Sequence, residues 1–200
     1  MTFEHIKEHL KEKTVGIAGC GGLGSNCAVA LARVGIGRLI IADFDVIELS
    51  NLNRQYYFFD QVGQPKALAL AQNISRINPS VKVISHNLIL NPDNIVQLFA
   101  GCDVIVEAFD RAEMKEMIIE TVVTSFPKKP LIVGSGMAGW GKSNALKVNM
   151  VCENLFVCGD RVSEIAVDWP ALAPRVGIVA NMQANMVLEI LLGNKKQFDL

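Results

Sequence analysis

Thr14-Val15-Gly16-Ile17-Ala18-Gly19-Cys20-Gly21-Gly22-Leu23-Gly24-Ser25, running on into the helical pattern of residues 27–34, decides the fold of this chain. The apolar run from Thr14 to Ala18 reads as a buried strand, and the glycines fall where that strand turns into a helix. There the backbone can approach a phosphate closely. Free N–H groups and the positive dipole end of the helix then stabilise the anion without a basic side chain. Glycine turns also serve tight packing, so the residues downstream carry weight. A second apolar run, Arg38 to Ala42, ends at Asp43, about 20 residues past the glycines, where a carboxylate accepts hydrogen bonds from both ribose hydroxyls. That placement suits NAD and the adenosine of ATP alike. It disfavours NADP, whose 2′-phosphate would meet a negative charge.

Outward from this unit the chain repeats strand then helix. Strands are expected near Val15, Leu39, Val81, Val104 and Leu131, separated by helices over residues 23–34, 66–77, 95–100 and 113–125. This rhythm predicts a Rossmann-like α/β fold with a doubly wound, mainly parallel sheet. Residues 3–13 read as a short amphipathic helix in an N-terminal segment 1–13. Residues 144–150 alternate Ala145, Lys147 and Asn149 against Leu146, Val148 and Met150, a period of two that predicts a half-exposed strand added at one edge. An apolar helix over residues 177–192 is expected to end at Gly193. Residues 153–175 read as one long irregular, crossover-like loop, and loops of that length are usually functional or mobile. With no repeat, low-complexity tract or linker, residues 1–200 are expected to form a single domain.

Composition narrows the function classes. The chain has 200 residues, 50% hydrophobic and 20% charged, with a net charge of -1. That length buries about 70% of the surface an unfolded chain exposes, in one sizeable core. The even charge balance gives no electrostatic case for nucleic acid or a membrane surface. No stretch reads as a signal peptide or reaches bilayer-spanning length, so a cytoplasmic location is expected. Cys20, Cys27, Cys102, Cys152 and Cys158 include no C-x-x-C pair, which fits reduced thiols and argues against a four-cysteine zinc site. His5 and His9, one helical turn apart without a third ligand, read as a solvated helix face.

Three segments together, Gly19 to Ser25, Asp43-Phe44-Asp45 running to Leu49-Ser50-Asn51-Leu52-Asn53-Arg54-Gln55, and Val62-Gly63-Gln64-Pro65-Lys66-Ala67, resemble the ThiF/MoeB/HesA family, relatives of the ubiquitin-activating enzymes. The resemblance spans most of the chain. It implies adenylylation of the C-terminal glycine of a small ubiquitin-like carrier, with ATP and magnesium and without zinc, by a symmetric homodimer. The compact length and the segments Glu107-Ala108-Phe109-Asp110 and Val157-Cys158-Gly159-Asp160 look most like the short family members of thiamine biosynthesis. That implies a ThiS-like sulfur carrier ending in Gly-Gly. Related members act on molybdopterin carriers or on tRNA through the same ATP site.

The residue chemistry agrees with this on its own terms. A C-terminal carboxylate, with an ordinary pKa of about 3.5, is already a nucleophile at neutral pH and needs no general base. The step requires in-line approach to the α-phosphorus and stabilisation of the departing pyrophosphate. Gly19, Gly21, Gly22, Leu23 and Gly24 are the candidates for the phosphate turn, and Asp43, Asp45, Asn51 and Gln55 for polar positioning of the nucleotide. Arg54 and Lys66 are candidates for the phosphates. Asp110, at the end of an expected strand 102–108, is the candidate magnesium ligand, with Arg111 beside it as a further cation. Each has a plainer reading: Asn51 in an Asx turn, Lys66 solvated at a helix start, Asp110 as the cap of the next helix, Arg111 solvated beside it.

Some features depart from the family or compete with it. Many members carry an arginine ahead of the first strand that reaches the partner subunit's triphosphate, whereas no arginine here precedes Arg33. Arg111 stands where asparagine is usual. The zinc-binding C-x-x-C pairs are absent, and Cys158 matches a reactive cysteine position only loosely. Gly136-Met137-Ala138-Gly139-Trp140-Gly141-Lys142-Ser143 matches the P-loop pattern in full, yet a P-loop must open a helix and the next residues read as a strand. These glycines are expected to line the groove for a carrier tail. The alternatives are a P-loop NTPase, a nucleotide-binding docking subunit with weak catalysis, and an NAD-dependent dehydrogenase, the last lacking a substrate domain.

Overall fold

The computed structural model describes residues 1–193, so residues 194–200 of the expected domain lie outside the described residues. A seven-stranded sheet runs in the order β3-β2-β1-β4-β5-β7-β6. Its strands are β1 (Thr14–Ala18), β2 (Arg38–Ala42), β3 (Lys82–His86), β4 (Val104–Glu107), β5 (Leu131–Gly134), β6 (Lys147–Cys152) and β7 (Leu155–Gly159). All neighbours pair in parallel except β6, which runs antiparallel to β7 at one edge. The helices are α1 (Phe3–Leu10), α2 (Gly22–Val34), α3 (Lys66–Ile77), α4 (Pro92–Phe99), α5 (Ala112–Ser125) and α6 (Ala173–Leu192). The sheet is doubly wound and mainly parallel, as the strand–helix rhythm predicts.

Strand alternation feeds two cores. Val15 and Ile17 of β1, with Val104 and Val106 of β4, face the cluster that holds α2 and α6, while Ile105 faces the cluster of Ile95, Phe99, Ile118 and Val122 from α4 and α5. Burial on both faces explains why β1 reads as a continuous apolar run. The chain winds from β1 outward to β2 and β3, then returns to β4 on the other side of β1. The sheet therefore changes winding direction between β1 and β4, where crevices open at the carboxyl ends of the strands.

Several boundaries differ from the sequence reading. The expected loop 153–175 contains β7, and α6 already begins at Ala173, leaving residues 160–172 irregular. β7 buries Phe156 and Cys158 between β5 and β6. α6 starts earlier than residue 177 because Pro174 suits a helix's first turn. α1 stops at Leu10 rather than residue 13, since the Leu10 carbonyl accepts the N–H groups of Lys13 and Gly37 instead of continuing the helix. β6 begins at Lys147, after a short 3-10 turn at Ser143–Ala145, and its alternation fails at Met150, 54% exposed beside a register shift. Among the described residues no helix is long and apolar enough to cross a membrane.

Candidate active site

A cavity of about 800 Å³ opens at the carboxyl ends of β1, β2, β4 and β5. Gly19, Gly21, Gly22 and Leu23 form its floor. Gly19 has φ +96°, and a Cβ there would lie 2.8 Å from the Ala108 carbonyl oxygen, so only glycine lets β1 and β4 end side by side. Gly24 packs beneath the cavity rather than lining it, because any Cβ would collide with the Gly19 carbonyl. The turn is fastened to the next segment by Ser25, whose hydroxyl donates to the Gly21 carbonyl (2.6 Å) and accepts the Tyr56 N–H (3.0 Å).

Asp43 stands just past β2. Its carboxylate accepts the N–H of Cys20 (2.6 Å) on one oxygen and that of Asp45 (2.8 Å) on the other, which ties it to the glycine turn and leaves lone pairs for a ligand hydroxyl. Burial pushes this carboxyl upward, against those two backbone bonds and the Lys66 charge. Lys66, the first residue of α3, is buried rather than solvated, and its ammonium lies 2.7 Å from Asp45 Oδ2. Arg54 lines the cavity and donates to the Ser50 carbonyl (3.2 Å) and to Asn53 Oδ1 (2.7 Å). Both acceptors are neutral, so its charge stays uncompensated. Gln55 lines the cavity and is nearly buried, and its Oε1 has no hydrogen-bond partner among the described residues. Asn51 is not among the lining residues; its Oδ1 accepts the Glu48 N–H (3.1 Å), which realises the plainer turn reading.

Asp110 and Arg111 line the opposite wall, exposed in the bend between β4 and α5. The residue at the N-cap of α5 is Arg111, and no side chain caps that helix, so Asp110 does not spend its carboxylate on capping. Among the described residues no group of three or more His, Cys, Asp or Glu could hold a metal alone. The donor set fits magnesium, which keeps waters and binds through one or two carboxylates plus substrate phosphates. Asp110 is the exposed cavity carboxylate beside the glycine turn's neighbour strand β4, Asp45 is half-buried against Lys66, and Glu164 is a third, exposed carboxylate from the irregular segment.

Cys158 does not belong to this site. It is fully buried on β7, and burial pushes its thiol up to about 12, so it is a core residue and not a loop thiol. The glycines of residues 136–143 also take another form than a P-loop. Ala138 bridges to Ala171, only a short 3-10 turn follows, and Gly136 lines the cavity instead. The sequence reading missed Lys115, and also Ser163, Glu164 and Ile165, which the irregular segment brings to the cavity rim. Lys115 carries no local signal, because its neighbours at the site come from other strands.

The ThiF family model matches residues 2–199, and the chain belongs to the ThiF family. It is 29% identical over 197 residues to molybdopterin-synthase adenylyltransferase of Salmonella typhimurium, covering 92% of this chain and 75% of that protein. To the adenylyltransferase and sulfurtransferase MOCS3 of Caenorhabditis briggsae it is 33% identical over 190 residues, 92% of this chain and 47% of that one. The chain thus spans less than half the length of the MOCS3 relatives it matches. Escherichia coli tRNA N6-threonylcarbamoyladenosine dehydratase, TcdA, solved in complex with ATP, shares the fold with a TM-score of 0.86 at 21% identity, covering 98% of this chain and 92% of that one.

Proposed function

We propose that this chain is an adenylyltransferase that activates the C-terminal glycine of a small ubiquitin-like carrier with ATP. The observation that carries the reading is convergence: Gly19, Gly21, Gly22, Asp43, Arg54, Lys66, Asp110 and Arg111 all line one cavity at the winding switch of the sheet. Asp43 takes the ribose hydroxyls, and the glycine turn with the α2 N-terminus receives phosphate oxygens. Arg54, Lys66 and Arg111 meet the β- and γ-phosphates. The carrier's terminal carboxylate oxygen attacks the α-phosphorus; a P–O bond to the carrier forms as the bond to pyrophosphate breaks, giving an acyl adenylate. No proton moves, which accords with a cavity holding cations and carboxylates but no histidine. Magnesium held by Asp110 supplies charge neutralisation on the phosphates when bound. Three cations lining the phosphate end of the cavity favour this reading over hydride transfer.

A ThiS-like sulfur carrier of thiamine biosynthesis is the partner proposed from the segments Glu107-Ala108-Phe109-Asp110 and Val157-Cys158-Gly159-Asp160. The names of the curated relatives support a molybdopterin-synthase carrier as the second reading. Isotope exchange between pyrophosphate and ATP, run with each purified carrier, tests both. Exchange is expected only with magnesium and a carrier ending in Gly-Gly. Exchange without a carrier, or tight NAD binding with no ATP binding, would overturn the proposal.

A further inference from the structure

Glu107, the last residue of β4, is a fully buried carboxylate one residue before the cavity wall, which begins at Ala108. Lys115, in the first turns of α5, sets its ammonium 2.8 and 2.9 Å from the two Glu107 oxygens and 2.8 Å from the Gly134 carbonyl at the end of β5. An ammonium has three donors, and all three are used. Lys115 therefore lines the cavity without a free donor for phosphate, unlike Arg54 and Arg111. The same carboxylate accepts the Phe109 N–H at 2.6 Å, and Gln183 of α6 donates to the Glu107 carbonyl at 2.9 Å. The bend at residues 108–111 is thus fastened to β5, α5 and α6 at its root. Asp110 follows Phe109 directly, is exposed, and its carboxylate has no hydrogen bond or ion pair among the described residues, so the bend sets where it points.

A buried ion pair is seldom more stabilising than apolar side chains of equal volume, so its place at the mouth of the site asks for another reason. We infer that Glu107 and Lys115 are positioning residues, a clamp that holds the bend so that Asp110 meets the metal ion accompanying the nucleotide phosphates. This rests on the adenylylation reading. Among the described residues the side-chain hydrogen bonds of the clamp go to Phe109 and Gly134 and not to the glycine turn or Asp43, so it governs the metal-dependent part of nucleotide binding and leaves the nucleoside part alone.

Calorimetric titration of ATP with magnesium, of ATP with EDTA, and of AMP separates the two parts. For Lys115→Met, magnesium is expected to raise ATP affinity by about tenfold less than in the wild type, the scale of losing a group that orients a metal ligand, while AMP affinity stays within about twofold. Glu107→Gln keeps the volume and the acceptor for Phe109. It is expected to lose less of the magnesium effect, in the same direction, and serves as the readout where Lys115→Met does not fold. An undiminished magnesium effect in the folded variant would overturn the clamp. So would an equal loss of AMP and magnesium–ATP affinity. A wild type whose ATP affinity ignores magnesium would instead overturn the underlying reading, and the clamp with it.

Discussion

Four cations line the cavity, and their partners distinguish them: Lys115 is spent on Glu107 and Gly134, which leaves Lys66, Arg54 and Arg111 to compare. Lys66 is buried against Asp45, so its charge is largely answered before any ligand arrives. Arg54 is held by two neutral oxygens. Arg111 has no hydrogen bond or ion pair to its guanidinium among the described residues, and it stands next to the candidate metal ligand. A triphosphate carries about four negative charges, and charge builds on the departing pyrophosphate, where an unspent, preoriented cation contributes most. Arg111→Ala is expected to lower the exchange rate at saturating ATP about a hundredfold, the effect of losing one preorganised donor, with an unchanged melting curve. Wild-type turnover would assign that cation to Lys7, Lys11 or Lys13 of the partner subunit. Lys7, Lys11 and Lys13 have carboxylates of their own in Glu4, Glu8 and Asp103, but such exposed pairs are weak and leave them available.

At the scale of elements, the irregular segment 160–172 is organised by one carboxylate. Asp160 accepts the N–H groups of Val162 (3.0 Å) and Ser163 (2.8 Å) and the Ser163 hydroxyl (3.0 Å), and pairs with Arg175 of α6. Arg175 in turn donates to the Gly141 carbonyl, so the glycine loop, the segment at the cavity rim and α6 are joined at one point. Burial pushes the Asp160 carboxyl up, but the bonds from Ser163 and Val162 and the Arg175 charge outweigh it and hold the group below the ordinary carboxylate range. A depressed pKa gives stability that is fully present above the ordinary value of about 4 and is lost as pH falls through the folded-state value. Asp160→Asn is expected to cost about 3 kcal/mol at pH 7, the scale of breaking a buried pair. The gap to the wild type should shrink between about pH 5 and pH 3. Thermal melts across that range check it, and a gap indifferent to pH would show that the charge contributes nothing.

The same elements show what the sequence made legible. β2 and α3 lie where their apolar patterns place them, because each pattern is local and spans several turns or a whole strand. β7 was not legible. Its five residues sit between polar flanks, and the partner that makes them a strand, β5, lies more than a loop away. The site divides in the same way: Gly19 to Leu23, Asp43 and Arg54 belong to contiguous segments and are readable, whereas Lys115 meets Glu107 and Gly134 only after three elements have docked.

On the whole molecule, exposed apolar side chains gather in two stretches of chain, residues 140–167 and residues 44–68, the latter lying between β2 and the first turns of α3. Phe44, Val46, Leu49, Phe58, Phe59, Val62 and Leu68 all reach solvent, with Leu49 at 63% and Phe59 at 76% exposure. The same stretch carries Asp45, Arg54 and Lys66 to the cavity. Single apolar residues on a surface need no explanation, but a concentration beside a site marks an interface. A two-fold pair is the commonest closed assembly, and it would cover the same surface on both copies. Light scattering at micromolar concentration is therefore expected to give twice the chain mass. Leu49→Glu with Phe59→Glu, neither of which lines the cavity, is expected to give a folded monomer that keeps its exchange rate, since Arg111 of the same copy supplies the further cation. A wild-type monomer would remove the interface. A monomeric double variant with slower exchange would show instead that each copy's cavity is incomplete alone and that the partner's lysines reach the triphosphate.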